Sequence, residues 1–361
     1  MERLQRVVLA MVRAGLWERE LDDLSAMPLS HDEWEQLYRI CRQQTITGIV
    51  YQALQYLPDE MMPPCELLLR WTAEADAIER RNKKMNSALH SLVSLLAAHG
   101  IKPIVQKGQA VAQYYNIPRL RECGDIDLCF QSKSDMDAAN ECIKGMGIAI
   151  SKMPDNSMHY MWQGFGVEHH THLLDVYNPF LQNYTSTLQR VYGYDEMGIS
   201  DANGLMVCVP SPVLNLLMLS VHILKHAMGW GIGLRQLCDM ARACHHLTHS
   251  VDKVAMQQID SRLGLNKWTR LLHAFLTEHL GLRADELPYH SIAQTTQPLL
   301  DIVWQSGNFG CQQHLRTDAG QSLWTRKMRT ARNFGSKLPF IFRYAPKEAL
   351  WMCAGLLKGQ L

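Results

Sequence analysis

The densest chemistry in the chain lies in R-E-C-G-D-I-D-L, residues 121–128. Successive side chains of a β-strand point to opposite faces, so Asp125 and Asp127 project together if this segment is extended. Two carboxylates that close repel unless a cation neutralises them. Mg2+ favours such a site, taking a few carboxylates and filling its remaining positions with waters and substrate phosphates. Upstream, the apolar run I-K-P-I-V, residues 101–105, leads into Lys107-Gly108 and then a helical pattern. A glycine in such a turn lets the backbone approach an anion, the turn amides point toward it, and Lys107 can reach a phosphate. Downstream, V-E-H-H, residues 167–170, falls on a predicted strand that offers Glu168 as a third carboxylate with His170 on the same face. Asp175, later in the same run, is an alternative third acid. Three acids and a phosphate-reading turn describe a nucleotide and metal site.

The elements that must position these residues follow from periodicity. From Leu4 to Leu96 apolar residues recur at threes and fours, which predicts amphipathic helices, the last of them a long one over 67–99 with E-R-R-N-K-K as a solvated middle. After Gly100 the pattern changes. A short strand over 101–105, a helix over 109–115, a strand over 125–130, a helix over 135–146 and strands over 149–153, 158–163 and 167–177 are expected, separated by P-D-N and G-F-G turn signals. Helical periodicity resumes at Pro210, with helices predicted over 212–228, 234–248, 251–263 and 267–280. The expected fold class is α+β: a small mixed-sheet core over 100–205, flanked by an N-terminal helical region (1–99) and a C-terminal one (206–361).

Composition narrows the function classes. The 361 residues carry 36 Lys and Arg against 35 Asp and Glu, a formal net charge of +1, which gives no reason to expect a general nucleic-acid or membrane binder. With 47% hydrophobic residues there is enough apolar surface for a substantial core. The ten cysteines are scattered without a C-x-x-C pair, and no stretch has the length or apolarity of a spanning helix or a signal peptide, so a cytosolic, reducing location is expected.

The pattern K-G, then a helix, then R-x-x-G-D-I-D-L, then a third acid on a later strand resembles the DNA polymerase β-type nucleotidyltransferase superfamily. More closely, with V-E-H-H and H-I-L-K-H-A-M-G-W-G-I-G-L-R-Q-L-C-D (residues 222–239), the chain resembles a largely uncharacterised bacterial nucleotidyltransferase family in which a helical region precedes that core. The resemblance spans roughly residues 30–345. It implies that Asp125, Asp127 and Glu168 are catalytic and hold two Mg2+ ions, with Mn2+ as an alternative. It also implies that Gly108 and Gly124 approach the triphosphate of a nucleoside triphosphate such as ATP, and that Lys107 or Arg121 pairs with it. In such a transfer an acceptor hydroxyl attacks the α-phosphorus and pyrophosphate leaves, with two ions about 3.5–4 Å apart clamping the attacking and leaving oxygens. The superfamily's turn often has Gly-Ser or Gly-Gly where this chain has Gly108-Gln109, so the phosphate contact is expected to differ in detail.

Other residues have two readings each. His222 and His226 stand four apart on a helix, the spacing of a zinc pair, but the intervening I-L-K lacks the glutamate of a zinc protease. His170, His222, His226 and Asp239 are taken as substrate contacts or as structural residues. Arg235 follows a G-W-G-I-G-L turn and either contacts phosphate or acceptor, or pairs with Asp239 one turn along. From Leu315 onward nine basic residues face two acids, a stretch that could touch a polyanion or form a solvated helical face. The acceptor is open: a small molecule, a sugar phosphate, a protein side chain or an RNA end. The rival functions are a catalytically silent nucleotide- or metal-binding module, regulatory or half of a toxin–antitoxin pair, and a D-x-D glycosyltransferase using a sugar nucleotide.

Overall fold

The change from helical to alternating periodicity near Gly100 is where the chain enters a sheet. In the computed structural model, which describes residues 2–153, 156–229, 231–306, 335 and 337–357, four helices come first: α1 (Arg3–Trp17), α2 (His31–Gln44), α3 (Thr47–Leu54) and α4 (Cys65–Ala98). The start of α2 is fixed by a reciprocal cap: the Glu33 amide donates to the Ser30 hydroxyl and the Ser30 amide to the Glu33 carboxylate, satisfying two otherwise orphaned donors. There follow β1 (Ile104–Gln106), α5 (Gly108–Ala112), β2 (Ile126–Cys129), α6 (Lys133–Gly145), β3 (Ser151–Lys152), β4 (Met158–Trp162), β5 (Phe165–His170), α7 (Pro179–Tyr192), β6 (Tyr194–Gly198) and β7 (Met206–Pro210). The remaining helices are α8 (Pro212–Met228), α9 (Leu234–Leu247), α10 (Lys253–Leu263), α11 (Asn266–Leu280), α12 (Gln297–Ser306) and α13 (Pro346–Leu357).

The chain forms two units. The helical one comprises Met1–Ile78, Leu120–Glu122 and His222–Pro346; the α/β one comprises Glu79–Arg119, Cys123–Val221 and Lys347–Leu361. Within the helical unit Trp71 is fully buried and donates its indole N–H to the Thr47 carbonyl at 3.0 Å, and the Thr47 amide donates to the Glu122 carboxylate at 2.8 Å.

The α/β unit is built on a seven-stranded mixed sheet in the order β3-β4-β5-β2-β1-β7-β6. β2 runs antiparallel to β1, with Gln106 opposite Asp127, and parallel to β5, with Asp127 beside Glu168 and Cys129 beside His170. Alternation then sorts the side chains. Val105, Ile126, Leu128, Phe130 and Val167 share one core with Leu89, Leu92 and Leu96 of α4 and Met136, Ala139 and Ile143 of α6. The residues between them, Asp127, Glu168 and His170, are thereby left to the opposite face. Burial of that apolar face fixes the register, because a slip of one residue would exchange core and site side chains.

The expected α+β class with a mixed sheet is what the chain adopts. The C-terminal helices α8 to α11 begin and end within two residues of their predicted bounds. Three elements were not expected. The strand predicted over 167–177 stops at His170, and α7 begins on the Asn178 cap with Pro179 at its first position. Only Thr185 and Leu188 of α7 are buried, while its Phe180 and Val191 are exposed. β6 lies at the sheet edge with no buried residue, and β7 pairs with it through a connection whose Asn203-Gly204, both at positive φ, is a hairpin turn signal that the expected elements leave out.

The nine described cysteines are free. Among the described residues no helix is long and apolar enough to cross a membrane. Of the basic segment after Leu315, only residue 335 and residues 337–357 are described, so the polyanion expectation falls mostly outside the described residues.

Candidate active site

β1 delivers Lys107 to the sheet face opposite the core. Lys107 itself is the turn, with φ 53° and ψ −143°, a conformation that costs a residue with a Cβ roughly 1–3 kcal/mol and is typically retained where function requires it. Gly108 follows at φ 36°, and a Cβ placed on it would stand 3.3 Å from the Asp125 carbonyl oxygen. The turn is therefore packed against the entry to β2, and glycine serves both its dihedral and its closeness. α5 is only five residues long, so the positive charge at this turn rests mainly on the Lys107 ammonium.

Asp127 is the hub. Its Oδ1 accepts from Lys107 Nζ at 3.1 Å and from His170 Nε2 at 2.9 Å, and the same imidazole nitrogen lies 3.4 Å from Glu168 Oε2. Burial would by itself raise the Asp127 pKa, but the Lys107 and His170 charges and hydrogen bonds outweigh it and hold the carboxyl well below the usual range. Burial likewise opposes protonation of His170, yet its hydrogen bonds to Asp127 and Glu168 raise it to about 9. For Lys107, desolvation is again overcome, here by Asp127, Asp125 and Glu168, and its pKa lies above the ordinary value. Two cations thus offset all but one of the three carboxylate charges, and the site holds an ordered set of charges before any ligand arrives.

Asp127, Glu168 and His170 can each direct one ligand atom so that all three lie within 4.8 Å of one another. Asp125 sits exposed at the entry to β2, two residues before Asp127 and on its face. Two carboxylates with a third nearby suit a hard divalent cation, whereas His170, protonated by its two carboxylate bonds, would have to lose its proton to join them as a ligand. Glu168 belongs to this group, whereas Asp175 lies exposed in the segment after β5. The neighbouring His169 points the other way: it is fully buried, bonds Tyr160 and Asn140 at 2.9 and 2.8 Å, and burial lowers its pKa to about 3.

The residue at which the chain departs from the superfamily's turn has a structural occupation. Gln109 is buried; its amide donates to Asn86 Oδ1 and to the Asn82 carbonyl, the latter at 3.3 Å, and its Oε1 accepts from the Cys123 thiol at 2.7 Å. It thereby ties α4 to the loop carrying Gly124 and Asp125. Gln109→Leu removes those bonds while keeping bulk, and is expected to lower the unfolding free energy by about 1–3 kcal/mol, because Asn86 Oδ1 and the Asn82 carbonyl lose a buried donor. Denaturant titration of the variant checks this. A midpoint equal to the parent's would mean that the bonds contribute nothing.

Two positioning residues were not foreseen from the sequence. Arg81, in the charged middle of α4 that reads as a solvated face, donates to the Gly124 carbonyl at 3.0 Å and stacks its guanidinium 5.2 Å from the Phe165 ring centre. Asn82 donates to the Arg119 carbonyl at 2.7 Å. Both hold the loop before Asp125, and their only signal in the sequence is a polar residue at helical spacing from the apolar stripe.

The other predicted site residues are placed in the helical unit. Arg121 Nε and Nη2 reach Asp239 Oδ1 and Oδ2 at 3.0 and 2.6 Å, a two-pronged ion pair whose side chains are each 5% exposed. Arg235 Nη1 donates to the Glu122 carbonyl at 2.9 Å. His222 and His226 meet edge to face with ring centres 4.4 Å apart. Gly124 belongs to the α/β unit, exposed next to Asp125.

A mixed sheet with carboxylates from two parallel strands and a lysine–glycine turn at their edge is the framework of a nucleotidyltransferase-type protein. The family can be given directly: residues 30–281 match the uncharacterised nucleotidyltransferase family, and the chain belongs to it. Among solved structures, an antigenic nucleotidyltransferase-like protein from Paracoccidioides brasiliensis aligns at 13% identity over 56% of this chain and 93% of that one, with a TM-score of 0.33. A search of curated proteins gave no match.

Proposed function

We propose that the protein transfers a nucleoside monophosphate from a nucleoside triphosphate to an acceptor hydroxyl, with Asp125, Asp127 and Glu168 holding divalent metal. The observation that carries this reading is the convergence of Asp127, Glu168 and His170 with Lys107 on one sheet face, in a chain of a nucleotidyltransferase family. Family membership also favours nucleotidyl transfer over sugar transfer by a D-x-D glycosyltransferase.

The residues present fit a divalent ion by donor chemistry. When bound, Mg2+ or Mn2+ supplies charge neutralisation on the triphosphate and lowers the pKa of the attacking hydroxyl. Lys107 is held beside Asp127 by a single contact and can exchange that carboxylate for a phosphate oxygen of the nucleotide. Gly108 leaves room for the triphosphate at the turn. His170 orients Asp127 and Glu168, and as a cation it offsets their mutual repulsion. Little acid–base chemistry is required of the protein, so positioning and fixed charge supply most of the rate.

The direct experiment is incubation of the protein with each α-labelled nucleoside triphosphate and Mg2+ or Mn2+, following pyrophosphate release and label transfer to added acceptors or to the protein itself. Metal-dependent pyrophosphate release from at least one nucleotide is expected, and abolished by chelation. Absence of release with every nucleotide, together with metal-dependent nucleotide binding, would favour the catalytically silent module instead.

A further inference from the structure

We infer that the acceptor is a small polyhydroxylated phosphate monoester, such as a sugar phosphate, held in a cleft beside the carboxylates; the inference rests on the transfer reading above. The cleft has a volume of about 780 Å3 and lies wholly within the α/β unit, among Lys133, Thr171, His172, Ser186, Arg190 and Tyr194. Its size suits a small molecule rather than a folded partner. None of its lining residues is a carboxylate, and three can carry positive charge. Lys133 is partly committed to Asp137 one turn along α6, whereas Arg190 and His172 are exposed and have no ion-pair partner among the described residues. An arginine fork next to a histidine is the chemistry of phosphate recognition, and the surrounding hydroxyls and the Gln189 amide match a polyol. Burial pushes the Tyr194 phenol up to about 12, so it stays a neutral hydrogen-bond donor.

The cleft's position relative to the carboxylates makes it an acceptor site. His172 follows His170 by two residues, at most about 7 Å of chain, and His170 touches both Asp127 and Glu168. Cys129 shares the face of Asp127 on β2 and is an electrostatic neighbour of Tyr194. The cleft therefore continues the carboxylate-bearing side of β2 and β5 past their C-terminal ends. A phosphate anchored by Arg190 and His172 leaves the far hydroxyl of one sugar directed back toward Asp127. In the reaction that hydroxyl's oxygen bonds to the α-phosphorus of the nucleotide, and its proton passes to solvent. The bond from the α-phosphorus to the bridging oxygen breaks, and pyrophosphate departs with the electron pair.

The test is calorimetric titration of the full chain with ribose 5-phosphate, glucose 6-phosphate, the two free sugars, inorganic phosphate and a short 5′-phosphorylated RNA, in the parent and in Arg190→Glu and Asp125→Asn. A sugar phosphate is expected to bind more tightly than its free sugar by about tenfold or more, and Arg190→Glu to lose about that factor. Nucleotide affinity should stay unchanged in Arg190→Glu, and sugar-phosphate affinity unchanged in Asp125→Asn. Sugar-phosphate binding insensitive to Arg190→Glu overturns the inference. So does binding that saturating nucleotide competes away, which would place the phosphate at Lys107, and so does binding of the RNA alone. If Arg190→Glu removes sugar-phosphate binding while the parent releases no pyrophosphate from any nucleotide, the cleft stands as a binding site and the transfer reading falls. If Asp125→Asn abolishes transfer and Arg190→Glu changes nothing, the cleft falls and the transfer reading stands.

Discussion

Asp125→Asn is expected to reduce nucleotidyl transfer on the order of a thousandfold or more, while leaving thermal stability within about 0.5 kcal/mol of the parent. The asymmetry follows from placement. Asp125 is exposed at the entry to β2, so amidation removes the charge proposed to hold metal at little cost to the fold. Asp127→Asn is expected to reduce transfer as severely but also to destabilise. The Lys107 ammonium and the His170 imidazole both bond Asp127 Oδ1, and both are largely buried. Removing that charge strands two cations on one sheet face. Breaking a fully buried pair costs roughly 3–5 kcal/mol; on the order of 2 kcal/mol is expected here, because Asp125 and Glu168 still face Lys107. Pyrophosphate release and denaturant midpoints, measured on the same preparations, separate the two effects. Undiminished transfer in the double variant would sink the catalytic assignment, and equal midpoints for the two single variants would sink the account of Asp127 as the electrostatic hub.

Much of this site could be read from residue order alone. D-I-D alternates, so Asp125 and Asp127 had to share a face of any strand, and V-E-H-H placed Glu168 and His170 together by the same rule. The parallel pairing of β2 with β5 then set Asp127 beside Glu168, a neighbour relation that depends on tertiary register and is written nowhere locally. Lys107-Gly108 was legible as a turn because glycine is the residue that tolerates it, but the left-handed conformation of Lys107 was not, since lysine ordinarily avoids that region. The helices α8 to α11 were legible because their apolar faces are long and continuous. β6 was not, because it buries nothing and so carries little periodic signal, whereas α7 had both an amphipathic period and an Asn178-Pro179 start that the expected long strand over 167–177 displaced. Arg81 and Gln109 illustrate a further limit: the partner that gives each its role is a backbone carbonyl or an amide distant in sequence, and composition does not encode it.

Arg121 offers the second large effect, on stability. Its guanidinium and the Asp239 carboxylate form two parallel hydrogen bonds in a nearly solvent-free position of the helical unit. Removing one partner leaves the other charge buried without full compensation, so Arg121→Ala or Asp239→Ala is expected to cost about 3–5 kcal/mol of unfolding free energy. The double replacement Arg121→Met with Asp239→Leu is expected to cost less than either single change, since no lone charge is left behind. Arg121→Lys separates this role from nucleotide binding. Lysine keeps the positive charge but cannot grip a carboxylate with two parallel bonds, so stability should fall by about 1–2 kcal/mol while nucleotide affinity is retained. A variant pattern in which Asp239→Ala leaves the unfolding midpoint unchanged but weakens nucleotide binding would reverse the assignment, making the carboxylate an orienting group for an arginine that serves the triphosphate.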